Sequence, residues 1–165
     1  MSSGSLNSVK IRQAAPADIV EMIRLERAAE TAAHWSESQY QALMQIEDGK
    51  TSRVALVAFR DSPAAALRNP SVLGFLVAHH VSGEWELENI VVAPEARGVG
   101  VGSLLVRDLI DRAKQNNSEA VFLEVRQSNT AARALYEKLG FESLGYRKSY
   151  YISPLEDAIL YRKIL

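Results

Sequence analysis

The chain has 165 residues, 47% of them hydrophobic, which is enough for one well-buried core and short of two. Nineteen Lys and Arg against twenty Asp and Glu leave a net charge of −1, so no bulk field draws in nucleic acid or an anionic membrane. The absence of cysteine excludes disulfides and thiolate metal sites, no apolar stretch approaches the roughly 20 residues of a membrane span, and "MSSGSLNSVK" lacks the apolar segment of a secretory signal.

Val9–Ala14 reads as a first strand. "APADIVEMIRLERAAE" follows as a helix, with Pro16 near its start and Ile19, Met22 and Ile23 on one face. "HWSESQYQALMQIEDGK" is a second helix. Ser36 is its N-cap, Gln39 completes a capping box, Trp35 and Tyr40 stand where a hydrophobic staple belongs, and Gly49 ends it. "SRVALVAF" and "SVLGFLVAHH" are β-branched runs and read as strands, joined by the proline-containing loop Arg60–Pro70. "GEWELENIVV" is a further strand. "SLLVRDLIDRAKQNN" is an amphipathic helix, "EAVFLEVR" a strand, and "SNTAARALYEKLGF" a helix ending at Gly140. "ESLGYRKSYYIS" and "EDAILYRKIL" close the chain as a strand pair. Mixed strands and helices without repeats predict an α+β fold with a mostly antiparallel sheet, and Trp85–Arg126 a right-handed parallel crossover. The expectation is a cytoplasmic, soluble protein, a monomer or weak dimer, with a flexible tail over 1–8 and one domain over 9–165.

Between strand and helix stands "RGVGVGS", Arg97 to Ser103, with glycines at 98, 100 and 102. Glycines this close weaken regular structure but let backbone N–H groups turn toward an anion at a helix start. A dinucleotide fingerprint needs the third glycine one residue later, and a phosphate-binding P-loop needs Lys followed by Ser or Thr. The pattern that remains is Arg-x-x-Gly-x-Gly, set by Arg97, Gly100 and Gly102, beside the alternative of a glycine-rich turn without a ligand.

Arg-x-x-Gly-x-Gly between a strand and an amphipathic helix resembles the pyrophosphate loop of the GNAT N-acetyltransferase superfamily. "FLEVRQSNTAARALYEKLGF", "HWSESQY" and "SYYISPLEDAILY" are similar to the subfamily that acetylates the N-terminal alanine of a ribosomal protein. The resemblance implies the GNAT fold, with two adjacent parallel strands splayed apart. It implies acetyl-CoA as co-substrate, its pyrophosphate held by Arg97, Gly98, Val99, Gly100, Val101, Gly102 and Ser103. The pantetheine arm would lie along Ile90, Val91 and Val92 as an added strand, which needs an unpaired edge.

Asn129 and Tyr136 are seven residues apart, two turns of a helix, and so share a face. An amide for the pantetheine and a phenol for the sulfur then come from one side. The resemblance makes Tyr136 the general acid for the departing thiolate, and a phenol pKa of about 10 keeps it protonated. Without the resemblance, Tyr136 reads as a core aromatic and Asn129 as an N-cap. An α-amino acceptor has a pKa of about 8, so roughly a tenth is already neutral at pH 7 and little is asked of a base. Glu124 interrupts the apolar run "VFLEV" on the face opposite Val121, Leu123 and Val125. By resemblance it is the base. Glu86 and Glu88 on the preceding strand, or no dedicated base, are the alternatives.

In similar enzymes the peptide enters between the first two helices and the last hairpin, here Ala33–Tyr40 and Arg147–Asp157. Trp35, Tyr150 and Tyr151 are the candidate acceptor contacts. Because neighbouring strand residues face opposite sides, only one of the two tyrosines reaches the acceptor unless the hairpin is bulged. His34, His79 and His80 form no metal-ligand pattern, and no metal is inferred. The expected acceptor is a protein N-terminus, that of a small-subunit ribosomal protein. A small amine with the same cofactor, and an acyl-CoA-binding module without turnover, are the other readings.

Overall fold

The computed structural model describes residues 8–30, 32–43, 53–60 and 71–165. The tail up to residue 7, the expected helix end at Gly49 and loop positions 61–70 lie outside them. Among the described residues one seven-stranded sheet runs in the order β1-β2-β3-β4-β5-β7-β6. Its strands are β1 (Val9–Gln13), β2 (Arg53–Arg60), β3 (Ser71–Val81), β4 (Glu84–Val92), β5 (Ala120–Arg126), β6 (Glu142–Ile152) and β7 (Leu155–Ile164). The helices are α1 (Ile19–Arg27), α2 (Glu37–Ala42), α3 (Val101–Gln115) and α4 (Thr130–Lys138). The α+β, mostly antiparallel architecture expected from the sequence is present, and β4 with β5 is its parallel pair.

Local chemistry sets the helix boundaries. Ser36 caps α2, with Gln39 returning a bond to the Ser36 N–H, and the Trp35 and Tyr40 rings meet at 5.7 Å as the staple predicts. A 3₁₀ turn over Pro16–Asp18 precedes α1, held where the Asp18 carboxylate accepts from the Ala15 N–H and pairs with Arg12. α3 starts at Val101, two residues earlier than the apolar pattern indicates, and so takes Gly102 into its first turn.

The sheet has two working faces, and a bulge in β4 decides which side chains share them. Val77 pairs with Asn89, but Ala78 pairs with Leu87, so Glu88 is an inserted residue. The insertion shifts the alternation by one. Glu86, opposite His79, and Asn89, opposite Val77, therefore come to the same face, together with Phe122 and Glu124 of β5. This face carries α1 and α2, since Asn89 bonds Glu26 of α1 and Phe75 packs edge-on against Tyr40 of α2. The other face carries α3 and α4: a Cβ at Gly102 would stand 3.2 Å from Leu135 of α4 and 3.7 Å from Val92.

Parallel pairing of β4 with β5 covers only Trp85–Val121, Glu86–Phe122 and Leu87–Leu123. Past Leu87, β4 stays paired with β3 as far as Val92, while its other edge has no strand partner among the described residues. Gly74 makes the close approach on the β3 side possible, because a Cβ there would meet the Val91 carbonyl oxygen at 2.7 Å. Gly74→Ala must push the backbones apart and is expected to cost about 1–3 kcal/mol of stability. Urea unfolding of the variant checks this, and an unchanged midpoint would contradict it.

Candidate active site

The strand-to-helix loop follows from its glycines, for two different reasons. Gly98 and Gly100 have φ of +74° and +99°, backbone that side-chain-bearing residues rarely adopt. Gly102 is helical and is small because Leu135 and Val92 crowd it. The sequence reading gave all three one purpose, and Gly102 corrects it. The first backbone bond of the α3 start runs from Leu104 N–H to Gly100 O. It leaves the amides of Val101, Gly102 and Ser103 as the unpaired donors of a helix start, beside the exposed Gly98 and Val99. The Arg97 guanidinium turns back to the Val92 carbonyl, Nε to O 3.1 Å, and so ties the loop to the end of β4.

Ile90, Val91 and Val92 lie on the stretch of β4 whose second edge is open. Val91 is buried toward α1 and α2, and Ile90 and Val92 are half-buried toward α3. Open backbone edge, left-handed glycines and free helix amides together fit an extended thioester arm ending in a pyrophosphate.

Asn129 stands one residue before the helix that carries Tyr136. It is the N-cap of α4, with ψ of 68°, and its side-chain oxygen accepts from the Ala132 N–H. The N-cap alternative read from the sequence is the one the helix start shows. Tyr136 is 3% exposed and packs on Phe141 and Tyr161 at ring distances of 5.7 and 6.2 Å. Burial raises its pKa well above the ordinary phenol range, and Tyr151 adds to the shift.

Glu124 is half-buried on the opposite face, ion-paired with Arg147 at 2.9 Å. The β6–β7 hairpin brings both tyrosines to it. Arg147 pairs with Ala158 and Tyr151 with Glu156, so β6 carries two extra residues between them. Ser149 has φ of +52° inside this bulge, and its N–H bonds the Asp157 carboxylate at 2.7 Å. The irregularity removes the alternation that would separate Tyr150 from Tyr151, and their rings meet edge-on at 5.1 Å. The Glu124 carboxylate, as acceptor and as neighbouring charge, is the main cause of the raised Tyr150 pKa. Burial is the main cause for Tyr151, with Glu124 contributing.

Several residues of this cleft were given no role by the sequence. Arg126 stands 4.0 Å above the Tyr151 ring, pairs with Glu156 and donates to the Ser153 and Pro154 carbonyls, holding the hairpin tip. Arg53 grips Glu88 with two bonds of 2.8 and 2.9 Å while lying over the Trp35 ring. Trp35 is thus both the staple and, through Arg53, linked to Glu88 of the glutamate cluster. Glu26, Asn89 and Tyr40 form a buried polar cluster beneath it. Two of these had a signal: Glu26 sits on the apolar stripe of Met22 and Leu25, and Asn89 interrupts the apolar end of β4.

Comparison with known proteins places the chain. Residues 20–141 match the Acetyltransferase (GNAT) family. The [ribosomal protein bS18]-alanine N-acetyltransferase of Haemophilus influenzae is 41% identical over 88 residues, 53% of this chain and 60% of that protein. The match thus spans about three-fifths of that relative's length. The crystal structure of the ribosomal-protein-S18-alanine N-acetyltransferase from Escherichia coli superposes with a TM-score of 0.75 at 29% identity, over 94% of this chain and 93% of that one. Ard1 from Thermoplasma volcanium gives 0.80 at 26% identity, over 96% and 98%.

Burial, then repulsion by Glu88 and Glu124, holds the Glu86 pKa above the ordinary glutamate value. Ionising Glu86 therefore costs stability. The cost is absent below the usual pKa of about 4.3 and complete above the raised one. Glu86→Gln is expected to raise stability at neutral pH and leave it unchanged near about pH 3.5, where the native carboxyl is protonated. Urea melts at both pH values check this. The same gain at both would detach the effect from ionisation.

Proposed function

The chain belongs to the Acetyltransferase (GNAT) family, and from that membership we propose that it transfers an acetyl group from acetyl-CoA to the α-amino group of a protein N-terminus. The acceptor we propose is an alanine-starting chain, the N-terminus of a small-subunit ribosomal protein. The observation that carries the reading is the bulged hairpin, which sets Tyr150 and Tyr151 together over Glu124 beside the open edge of β4. Two aromatic hydroxyls over one carboxylate suit a peptide backbone entering amine first. The names of the relatives point the same way.

Acetyl-CoA, when bound, supplies the acetyl thioester. The open edge of Ile90, Val91 and Val92 would hold its pantetheine arm, and the amides of Val101, Gly102 and Ser103 its pyrophosphate, with the Asn129 side-chain NH₂ left over from capping. Glu124 takes the proton released as the amine nitrogen bonds the acetyl carbon. Tyr136 gives its proton to the sulfur as the carbon–sulfur bond breaks. The amine enters in its neutral form, and Glu124 loosens its ion pair with Arg147 as it takes the one proton released. The Arg147 side chain is 56% exposed against 16% for Glu124, so water is at hand for the guanidinium. Tyr151 and burial hold Tyr136 protonated through neutral and mildly basic pH, as an acid requires.

Purified protein with acetyl-CoA and an alanine-starting hexapeptide is expected to release CoA, and the same peptide with a blocked N-terminus to release none. Release only with polyamines or other small amines would overturn the peptide reading. Glu124→Gln is expected to lower kcat by about 10²–10⁴ with acetyl-CoA affinity unchanged. Unaltered turnover in that variant would remove Glu124 from the chemistry and turn attention to Glu86.

A further inference from the structure

Glu26 lies near the end of α1 and is 1% exposed. A carboxylate so placed costs several kcal/mol of desolvation unless donors surround it. The donors come from three other segments. The Trp35 N–H, from the link between α1 and α2, reaches Glu26 Oε1 at 3.1 Å. The Asn89 side-chain amide, from β4, reaches the same oxygen at 2.8 Å. The Tyr40 hydroxyl, from α2, also engages Glu26, which after burial is the main cause of its raised pKa. Asn89 is itself 4% exposed and approaches Tyr40 at 3.4 Å.

The ends of this chain of bonds matter. Asn89 follows the inserted Glu88 and precedes Ile90, where the open edge of β4 takes the proposed thioester arm. Trp35 is the acceptor contact proposed on the α2 side, and its ring lies beside Tyr40 and under Arg53. Trp35 and β4 are joined twice, at consecutive residues of one bulge. The buried join runs Trp35–Glu26–Asn89, and the exposed one runs from the Trp35 ring through Arg53 to Glu88. Packing of α1 on the sheet needs only apolar contact, and Met22 and Leu25 already supply it. A buried carboxylate that bridges Trp35 to β4 does more than packing requires.

We propose that the buried join Asn89–Glu26–Trp35 couples the two binding events: a strand added along Ile90–Val92 fixes Asn89, which through Glu26 sets Trp35 for the acceptor peptide. The inference rests on the peptide reading above. Glu26 and Asn89 are positioning residues, acting through Trp35. Coupling of this kind is reciprocal, and factors of about 5–150 are typical.

The test is calorimetric binding of the alanine-starting hexapeptide with and without saturating CoA, the unreactive product. In the unaltered protein CoA is expected to tighten peptide binding by about tenfold. In Asn89→Ala the ratio falls to about one while CoA affinity alone stays within about threefold. Glu26→Gln, which keeps the volume and removes the charge, reduces the ratio and guards against a fold lost in Asn89→Ala. Tyr40→Phe loses a buried hydrogen bond but not the join, so it keeps the ratio, separating coupling from stability. A ratio of one in the unaltered protein, or an undiminished ratio in folded Asn89→Ala or Glu26→Gln, overturns the proposal. If the peptide does not bind at all, the peptide reading fails instead. Coupling is then read from Trp35 fluorescence in Trp85→Phe: CoA is expected to shift it there and not in Trp85→Phe/Asn89→Ala, and no shift in the first overturns the coupling.

Discussion

The parallel pairing between β4 and β5 ends at Leu87 and Leu123, and the rest of the site depends on that ending. Each strand is held on its outer side well past the divergence: β4 by β3 to Val92, and β5 by β7 to Arg126. Neither is free to swing across and close the gap. At the point of divergence Glu86, Glu88 and Glu124 crowd one face, and mutual repulsion helps raise the Glu86 pKa. The open edge is therefore a fixed feature of the sheet. Unpaired backbone in a sheet interior is otherwise avoided, because buried N–H and C=O groups need partners. A ligand that adds as a strand supplies them.

The divergence also divides the labour between faces. α1, α2 and the β6–β7 hairpin gather carboxylates and exposed aromatics on one side, the side proposed for the acceptor amine. α3 and α4 occupy the other, where Tyr136 sits in an aromatic cluster that excludes water and keeps its proton on. Base and acid candidates thus differ in environment because they belong to opposite sides of one sheet. The same division lets Trp35 connect to β4 through Glu26 and Asn89.

Most of the fold was legible because its elements are amphipathic with a clear period. β4, α3 and β5 were each visible from apolar spacing, and Ser36 with Gln39 marked α2 by its cap. What escaped was set by register. The β4 insertion at Glu88 and the two extra residues of β6 exist only relative to partner strands distant in sequence, so no local pattern announces them. The hairpin bulge decides whether one tyrosine or two reach the cleft, a question the alternation rule left open. Asn129 was read two ways, as a residue within the helix and as its N-cap, and the capping bond to Ala132 N–H shows the second. Arg53, Arg126 and Arg147 look like ordinary surface cations in the sequence. Only long-range pairing shows that each spans a carboxylate and an aromatic ring.

Those pairings bear on the kind of amine the cleft suits. Arg53 answers Glu88 and lies over Trp35, while Arg147 answers Glu124 and lies over Tyr150. Among the described residues Glu88 and Glu124 each hold an arginine in an ion pair, while burial, then repulsion by those two carboxylates, raises the Glu86 pKa. A polyamine carries several charges along its length and needs unpaired carboxylates spread to meet them, with no guanidinium between. Here the two arginines occupy those places, flanked by rings that bury a peptide's apolar surface. The arginine-paired glutamates and the rings of Trp35, Tyr150 and Tyr151 thus agree with the proposed acceptor, a single terminal amine on a continuing chain, better than with a polyamine.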